Sequence, residues 1–208
     1  MKSQLFIFSM LSAALVVGCQ TDSRDSNKVS STTPGASGGA TAKANGSAAS
    51  TSSPAPKVAL PTFRINAGSA AVKDATGVEW LADTGFEGGD VIERPDLQIA
   101  NTRQPEIYRS EHYSMEAFKQ TLPNGNYTVK LHFAETFEGI QGPGERVFSF
   151  DVEGKAFTNF DPFAKAGGFA KAYVETVPVQ IADGVLNIKF TPNIENPQIC
   201  AIEIIPAP

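Results

Sequence analysis

Cysteine is nearly absent from this 208-residue chain: Cys19 and Cys200 are the only two. Only Cys200 lies within residues 61–208, so no disulfide can form inside that stretch. Histidine is as scarce, at His112 and His132, so no Cys/His cluster has metal-ligand spacing. No glycine-rich phosphate loop and no dinucleotide fingerprint is present. Basic residues are outnumbered. From Pro61 to Pro208 there are seven Asp and thirteen Glu against seven Lys and five Arg, a net charge of −8. Such a surface repels phosphates, which argues against nucleic acid as a partner. No run reaches the ~20 apolar residues that a membrane-spanning helix needs. The longest, Leu5 to Val17 behind Lys2, is shorter and fits a secretory signal.

The end of that run is more specific. Val16-Val17-Gly18-Cys19 resembles a bacterial lipobox. The resemblance implies removal of residues 1–18, lipidation of Cys19 and attachment to the bacterial cell envelope, with the membrane touched through the lipid alone. Each buried CH₂ contributes ~0.8 kcal/mol, so several acyl chains hold firmly where one does not. Gln20, rather than Asp, comes after the Cys, and by enteric sorting rules this points to the outer membrane. Residues 20–60 are Ser, Thr, Ala, Gly and Pro with scattered charge and no aromatic residue. They cannot bury enough to offset chain entropy, so 19–60 reads as a lipidated Cys on a disordered linker. A coil of that length spans about 35 Å on average.

Residues 61–208 form one domain, large enough for a core of its own. "YTVKLHF" (127–133) alternates strictly, with Tyr127, Val129, Leu131 and Phe133 on one face. "RVFSFDVEG" (146–154), "YVETVPVQI" (173–181), "VLNIKF" (185–190) and "ICAIEII" (199–205) behave alike, and "FRINAG" (63–68) and "VEWLAD" (78–83) are shorter candidates. Asn124-Gly125 and Asp183-Gly184 are hairpin signals, which would pair 117–123 with 127–133 and 173–181 with 185–190. At most a turn or two of helix is expected, near Ser114–Phe118 and Pro162–Lys165. Many short strands between turn signals predict an all-β fold, a jelly-roll-like antiparallel β-sandwich. Trp80, Phe133, Phe148, Ile188 and Ile202 should lie between its sheets. Alternation puts Cys200 on one face with Ile202 and Ile204, as a buried core residue, and His132 on the outward face as a bystander.

Glu135, Glu138, Glu145 and Asp161 are the acids from which glycoside hydrolysis would need a facing pair, and nothing in their spacing brings two together. "DTGFEGGD" (83–90) holds oxygen ligands for a hard cation, but loose acidic loops are common and neither a metal nor a cofactor is expected. "IYRSEHY" (107–113) and "TFEGIQGPGE" (136–145) instead mix rings with polar groups on loops, a composition suited to stacking on and hydrogen-bonding a sugar.

"INAGS", "GVEWLAD", "IYRSEHYSMEAF", "LPNGNYTVKLHFAETF", "RVFSFDVEG", "DGVLNIKF" and "NPQICAIEI" fall in the order of the malectin family, which this sequence resembles over nearly all of residues 62–206. The resemblance implies a β-sandwich and a non-catalytic carbohydrate-binding module for glycans or cell-wall polysaccharide. It places Tyr113, Phe137, Glu138 and Glu195 on the ligand face, lining one shallow concavity. Tyr113 closes the family's "Y-x-x-E-x-Y" stretch. Phe137 and Glu138 stand at a pair of adjacent aromatics, so the second ring is replaced. Glu195 stands for an Asp before "N-P", and Ile92 lies near the place of a further Tyr. Two other readings stay open: an envelope structural or protein-interaction module, and a glycoside hydrolase.

Overall fold

The computed structural model describes residues 59–208; the leader, Cys19 and the linker as far as residue 58 lie outside the described residues. Alternation becomes strand wherever it is legible. In chain order the strands are β1 (Phe63–Asn66), β2 (Val72–Lys73), β3 (Glu79–Trp80), β4 (Phe86–Glu87), β5 (Asp90–Glu93), β6 (Ser110–Tyr113), β7 (Ala117–Thr121) and β8 (Gly125–Phe133). They continue with β9 (Val147–Val152), β10 (Lys155–Phe160), β11 (Tyr173–Ile181), β12 (Val185–Ile194), β13 (Gln198–Ile199) and β14 (Ala201–Pro206). One short helix, α1 (Pro162–Ala166), comes after β10, and a 3₁₀ turn spans Pro105–Tyr108. The expected helical turn near Ser114–Phe118 does not form. Ser114 adopts φ 60°, which breaks a helix, and the chain then enters β7.

Two antiparallel sheets make the sandwich, in the orders β1-β14-β8-β11 and β10-β9-β12-β7-β4. Their inner faces meet in one core. β8 supplies Tyr127, Val129, Leu131 and Phe133; β9 supplies Phe148, Phe150 and Val152; β12 supplies Leu186, Ile188 and Phe190; β14 supplies Ile202 and Ile204. Leu60, just before the expected domain start, packs against the same core.

The two hairpin expectations fail together. β7 pairs with β12 and β4, while β8 pairs with β11 and β14. Each turn therefore carries the chain from one sheet to the other, and the two crossings lie side by side. Asn124 Nδ2 donates to the Ala182 carbonyl at 2.8 Å, and the Leu122 N–H donates to the Gly184 carbonyl at 3.0 Å. The reason is burial. Phe118 and Leu122 before the first turn and Tyr127 and Val129 after it all need the same core. Facing each other across the sandwich covers both apolar stripes, and the antiparallel partners come from the other crossing.

The outer face of the four-stranded sheet carries a second cluster of Trp80, Ile107, Tyr108, Ala134, Ala172, Cys200 and Ala201. Trp80 is thus buried, but not between the two sheets: the segment containing β2 and β3 folds back over the outside. Its indole N–H donates to Asp74 Oδ2 at 2.8 Å. Burial would raise the Asp74 carboxyl, yet hydrogen bonds from Thr76, Trp80 and Val78 hold it well below the usual range. Cys200 is fully buried, but a bend before β14 turns it toward Ala201 rather than toward Ile202. Burial pushes its thiol up.

His132 is no bystander on a wet face. It points outward from β8, as alternation requires, but into this second cluster. Its Nδ1 lies 2.8 Å from the Tyr108 hydroxyl and its Nε2 has no partner. Burial holds its pKa down at about 4. The unfolded ring takes a proton near 6.5, so the unfolded state binds more protons between those values. This contribution to stability is whole above about pH 6.5 and is lost as pH falls toward 4. A loss of about 3 kcal/mol is expected across that window. Glu135, raised by burial, works in the opposite direction. The measurement is therefore the difference between wild type and His132→Gln in urea unfolding from pH 7 to 4. Parallel curves would show that the ring is hydrated.

Candidate functional site

β5, β6 and β13 form a small antiparallel sheet, and period two builds one wall of a cavity on it. Ile92 faces Glu111 and Asp90 faces Tyr113 across the β5–β6 pair. Ile92, Glu111 and Tyr113 therefore share a face, and Arg94 continues it just past β5. Close approach of the strands needs Gly89. Its φ is 86°, and a Cβ there would collide with the Tyr113 carbonyl. The opposite wall is the loop after β8. Phe137 stands out from it, 47% exposed. Its ring lies over Gly139, where any Cβ would strike it. The turn at Glu195, with φ 63°, and Asn196 closes the third side.

The cavity is about 310 Å³ and is lined by Ile92, Arg94, Glu111, Tyr113, Phe137, Arg146, Glu195 and Asn196. Tyr113, Phe137 and Glu195 thus converge, from segments far apart in sequence. Glu138 does not join them there. It sits in a turn closed by the Ile140 N–H on the Phe137 carbonyl at 3.0 Å, and lines two adjoining depressions instead. Ile92 occupies the wall with an aliphatic surface, 38% exposed.

Beneath the rings lies a polar floor. Arg94 Nη1 donates to Glu111 Oε1 and to Thr136 Oγ1, both at 3.0 Å, and the Thr136 hydroxyl donates to Glu111 Oε2 at 2.8 Å. Arg146 Nε donates to Glu135 Oε2 at 2.7 Å, and its Nη1 donates to the Asn196 carbonyl at 2.6 Å. The other Glu135 oxygen accepts the Phe137 N–H at 3.0 Å. One buried ion pair therefore positions both Phe137 and the Glu195–Asn196 turn. Burial raises the Glu135 carboxyl, and the charge of Arg146 with these hydrogen bonds pulls it back.

The floor residues Arg94, Glu111, Thr136, Glu135 and Arg146 are not among those expected at the site. Glu111 has a signal, being two residues before Tyr113 on a strand. The arginines have none. The same geometry assigns structural tasks to three of the four acids considered for hydrolysis. Glu135 is fully buried and paired. Glu145 accepts the Gln141 and Gly142 N–H groups. Asp161 caps α1 through the Ala164 N–H and also accepts the Gly144 N–H.

His112 sits on the far side of β6. Its Nδ1 lies 2.8 Å from Asp83 and its Nε2 lies 2.9 Å from the Gly88 carbonyl. Both partners only accept, so both bonds are made together when each ring nitrogen carries a proton. Burial alone would lower its pKa; the bonds to Asp83 and Gly88 and the charges of Asp83 and Asp90 raise it instead. Asp83 also takes the Gly68 N–H at 2.5 Å. The acidic stretch 83–90 is thus pinned to β6. Among the described residues no group of three His, Cys, Asp or Glu is arranged to hold a metal ion.

Over residues 61–203 the chain matches the malectin domain family. It is 32% identical over 148 residues to the kinesin-like protein KIN-14E of Oryza sativa subsp. japonica, covering 66% of this chain and 14% of that protein. It is 29% identical over 128 residues to the kinesin-like protein KIN-14R of Arabidopsis thaliana, covering 61% of this chain and 12% of that protein. The chain therefore spans a small part of the length of these curated relatives. Among solved structures it resembles a Bacteroides uniformis beta-glucuronidase, with a TM-score of 0.64 and 18% identity over 71% of this chain and 18% of that one. It also resembles a chain of the plant peptide RALF23 complex with FER and LLG2, with a TM-score of 0.61 and 17% identity over 69% of this chain and 48% of that one. At these identities the structural likeness shows the fold. The family match covers more than half of the sequence, and the chain belongs to the malectin-domain family.

Proposed function

We propose that this chain is a non-catalytic carbohydrate-binding module, held on the bacterial cell envelope by lipid at Cys19. One observation carries the binding reading: Tyr113, Phe137 and Glu195 meet around an open cavity with a hydrogen-bonding floor. A sugar ring offers an apolar face to Tyr113, Ile92 and Phe137 and hydroxyls to Glu195 and the free N–H groups of Arg94. The rings do not serve the core, so their exposure has a use in binding. One or two rings on a shallow site support a dissociation constant of about 10 μM to 1 mM.

Titration calorimetry with glucan oligosaccharides and peptidoglycan fragments tests this. Phe137→Ala is expected to weaken binding about tenfold, roughly 1.4 kcal/mol, through lost stacking area. Glu138→Ala should cost less, since a replaceable hydrogen bond is removed. Unchanged affinity in Tyr113→Ala/Phe137→Ala would put the site elsewhere. The likeness to a chain of the RALF23 complex supports a second reading, a module that binds a peptide or protein partner on the same fold. Failure of every glycan on an array would favour it.

For anchoring, the motive is the Val16–Cys19 motif with a long polar tether after it. Cys19→Ser is expected to leave the precursor uncleaved or to move the protein from the detergent to the aqueous phase on partitioning. Wild-type partitioning in that variant would end the lipoprotein reading.

A further inference from the structure

Three depressions adjoin one another along the 136–141 loop. The first cavity shares Ile92, Arg94 and Phe137 with a second of about 580 Å³, which extends past Pro95 and Asp96 to Glu138. Glu138 is in turn shared with a third of about 320 Å³, lined also by Ile140, Gln141, Phe163 and Phe169. The two phenylalanines of the third are partly exposed, belong to neither hydrophobic cluster and make no ring–ring contact among the described residues. The backbone that carries them is closely bonded. Asp161 caps the start of α1, and the Gly167 and Gly168 N–H groups both donate to the Phe163 carbonyl, at 3.0 and 2.9 Å. That closure turns the chain back, and the Ala170 N–H then bonds the Glu135 carbonyl at 2.8 Å. Two partly exposed rings on a closely bonded backbone, beside a carboxylate and an amide, repeat the chemistry of the first cavity.

Charge selects among possible chains. Arg94 and Arg146 are matched by the buried Glu111 and Glu135. The acids left unpaired along the furrow, among the described residues, are Glu195, Asp96 and Glu138. They repel carboxylate- or phosphate-bearing polymers and accept hydrogen bonds from hydroxyls.

We propose that Phe163 and Phe169 form a further subsite, so that the domain grips a run of a neutral polysaccharide along a furrow from Tyr113 to Phe169. This rests on the carbohydrate-binding reading of the first cavity. The full chain, solubilised in detergent, is titrated with neutral gluco-oligosaccharides of two and of six units and with a hexagalacturonate. The longer neutral oligosaccharide is expected to bind about tenfold tighter than the shorter. Phe163→Leu/Phe169→Leu, which keeps apolar bulk and so preserves folding, should bring that ratio to about one, and Phe137→Ala should weaken both ligands. Binding of the shorter oligosaccharide with no gain in length, or a gain that survives the Leu variant, overturns the furrow and leaves the first site standing. Tighter binding of the hexagalacturonate overturns the neutral polymer. Absence of binding by all three overturns the furrow together with the carbohydrate reading beneath it.

Discussion

Arg146→Ala is expected to lower the unfolding free energy by about 3–5 kcal/mol, because it leaves a buried carboxylate without its cation. The Arg146 side chain is 5% exposed and that of Glu135 is fully buried, at 2.7 Å from each other. After the change, Glu135 keeps the Phe137 N–H as a partner on one oxygen and nothing on the other. It would then take a proton more readily, since burial already raises its pKa and the opposing charge is gone. The defect should therefore shrink as pH falls toward the carboxylate range, where the neutral acid is favoured. Arg146→Met/Glu135→Gln should recover much of the loss, because no charge is buried and the Gln oxygen still accepts the Phe137 N–H. Urea unfolding at pH 7 and pH 5 measures both points. A loss below about 1 kcal/mol in Arg146→Ala, typical of exposed pairs, would show that water reaches Glu135. Ligand binding should suffer too, since the Asn196 carbonyl loses the Arg146 N–H that fixes its turn.

Phe148→Ala and Phe133→Ala are each expected to cost about 3–5 kcal/mol, from lost transfer energy and the cavity left behind. Both rings are fully buried, their centroids 6.1 Å apart, and each also packs on Phe160, at 5.5 and 4.7 Å. A domain stable by only ~5–15 kcal/mol would be close to unfolding in either variant. The informative comparison is Phe137→Ala. That ring is 47% exposed and outside both clusters, so its loss should change stability by no more than about 0.5 kcal/mol while it weakens binding. Equal melting temperatures for the Phe137 and Phe148 variants would mean that the inner and outer faces of these segments had been exchanged.

Much of the candidate site is legible in residue types. Tyr113 and Phe137 are rings outside core alternation, Glu195 precedes Asn-Pro, and the family resemblance joins them without any geometry. Glu138 is the exception. The resemblance extends its neighbour's role to it, whereas the turn closed by the Ile140 N–H on the Phe137 carbonyl carries Glu138 away from the first cavity. Arg94, Glu135 and Arg146 are illegible for a different reason. A charged residue in a loop is ordinarily solvated. Glu135 and Arg146 are buried, and Arg94 is mostly covered, by the convergence of β5, β6 and the 134–146 loop, which no local window contains.

The same division holds for the fold. Strand identity and inner face at 127–133, 147–152 and 185–190 come from the sequence by itself, because a period of two is a property of neighbours along one chain. So does the short helix expected near Pro162–Lys165, which forms as α1 through contacts within one turn. Which strand each one pairs with, by contrast, was decided by tertiary structure. Asn124-Gly125 and Asp183-Gly184 specify a reversal, and a reversal serves a hairpin and a crossing between sheets equally well. The choice between them came from covering the apolar faces of β7, β8, β11 and β12 at once. His132 and Trp80 were settled in the same way. Alternation says which side of the sheet His132 faces, but only the folding of β2 and β3 over that side made it dry.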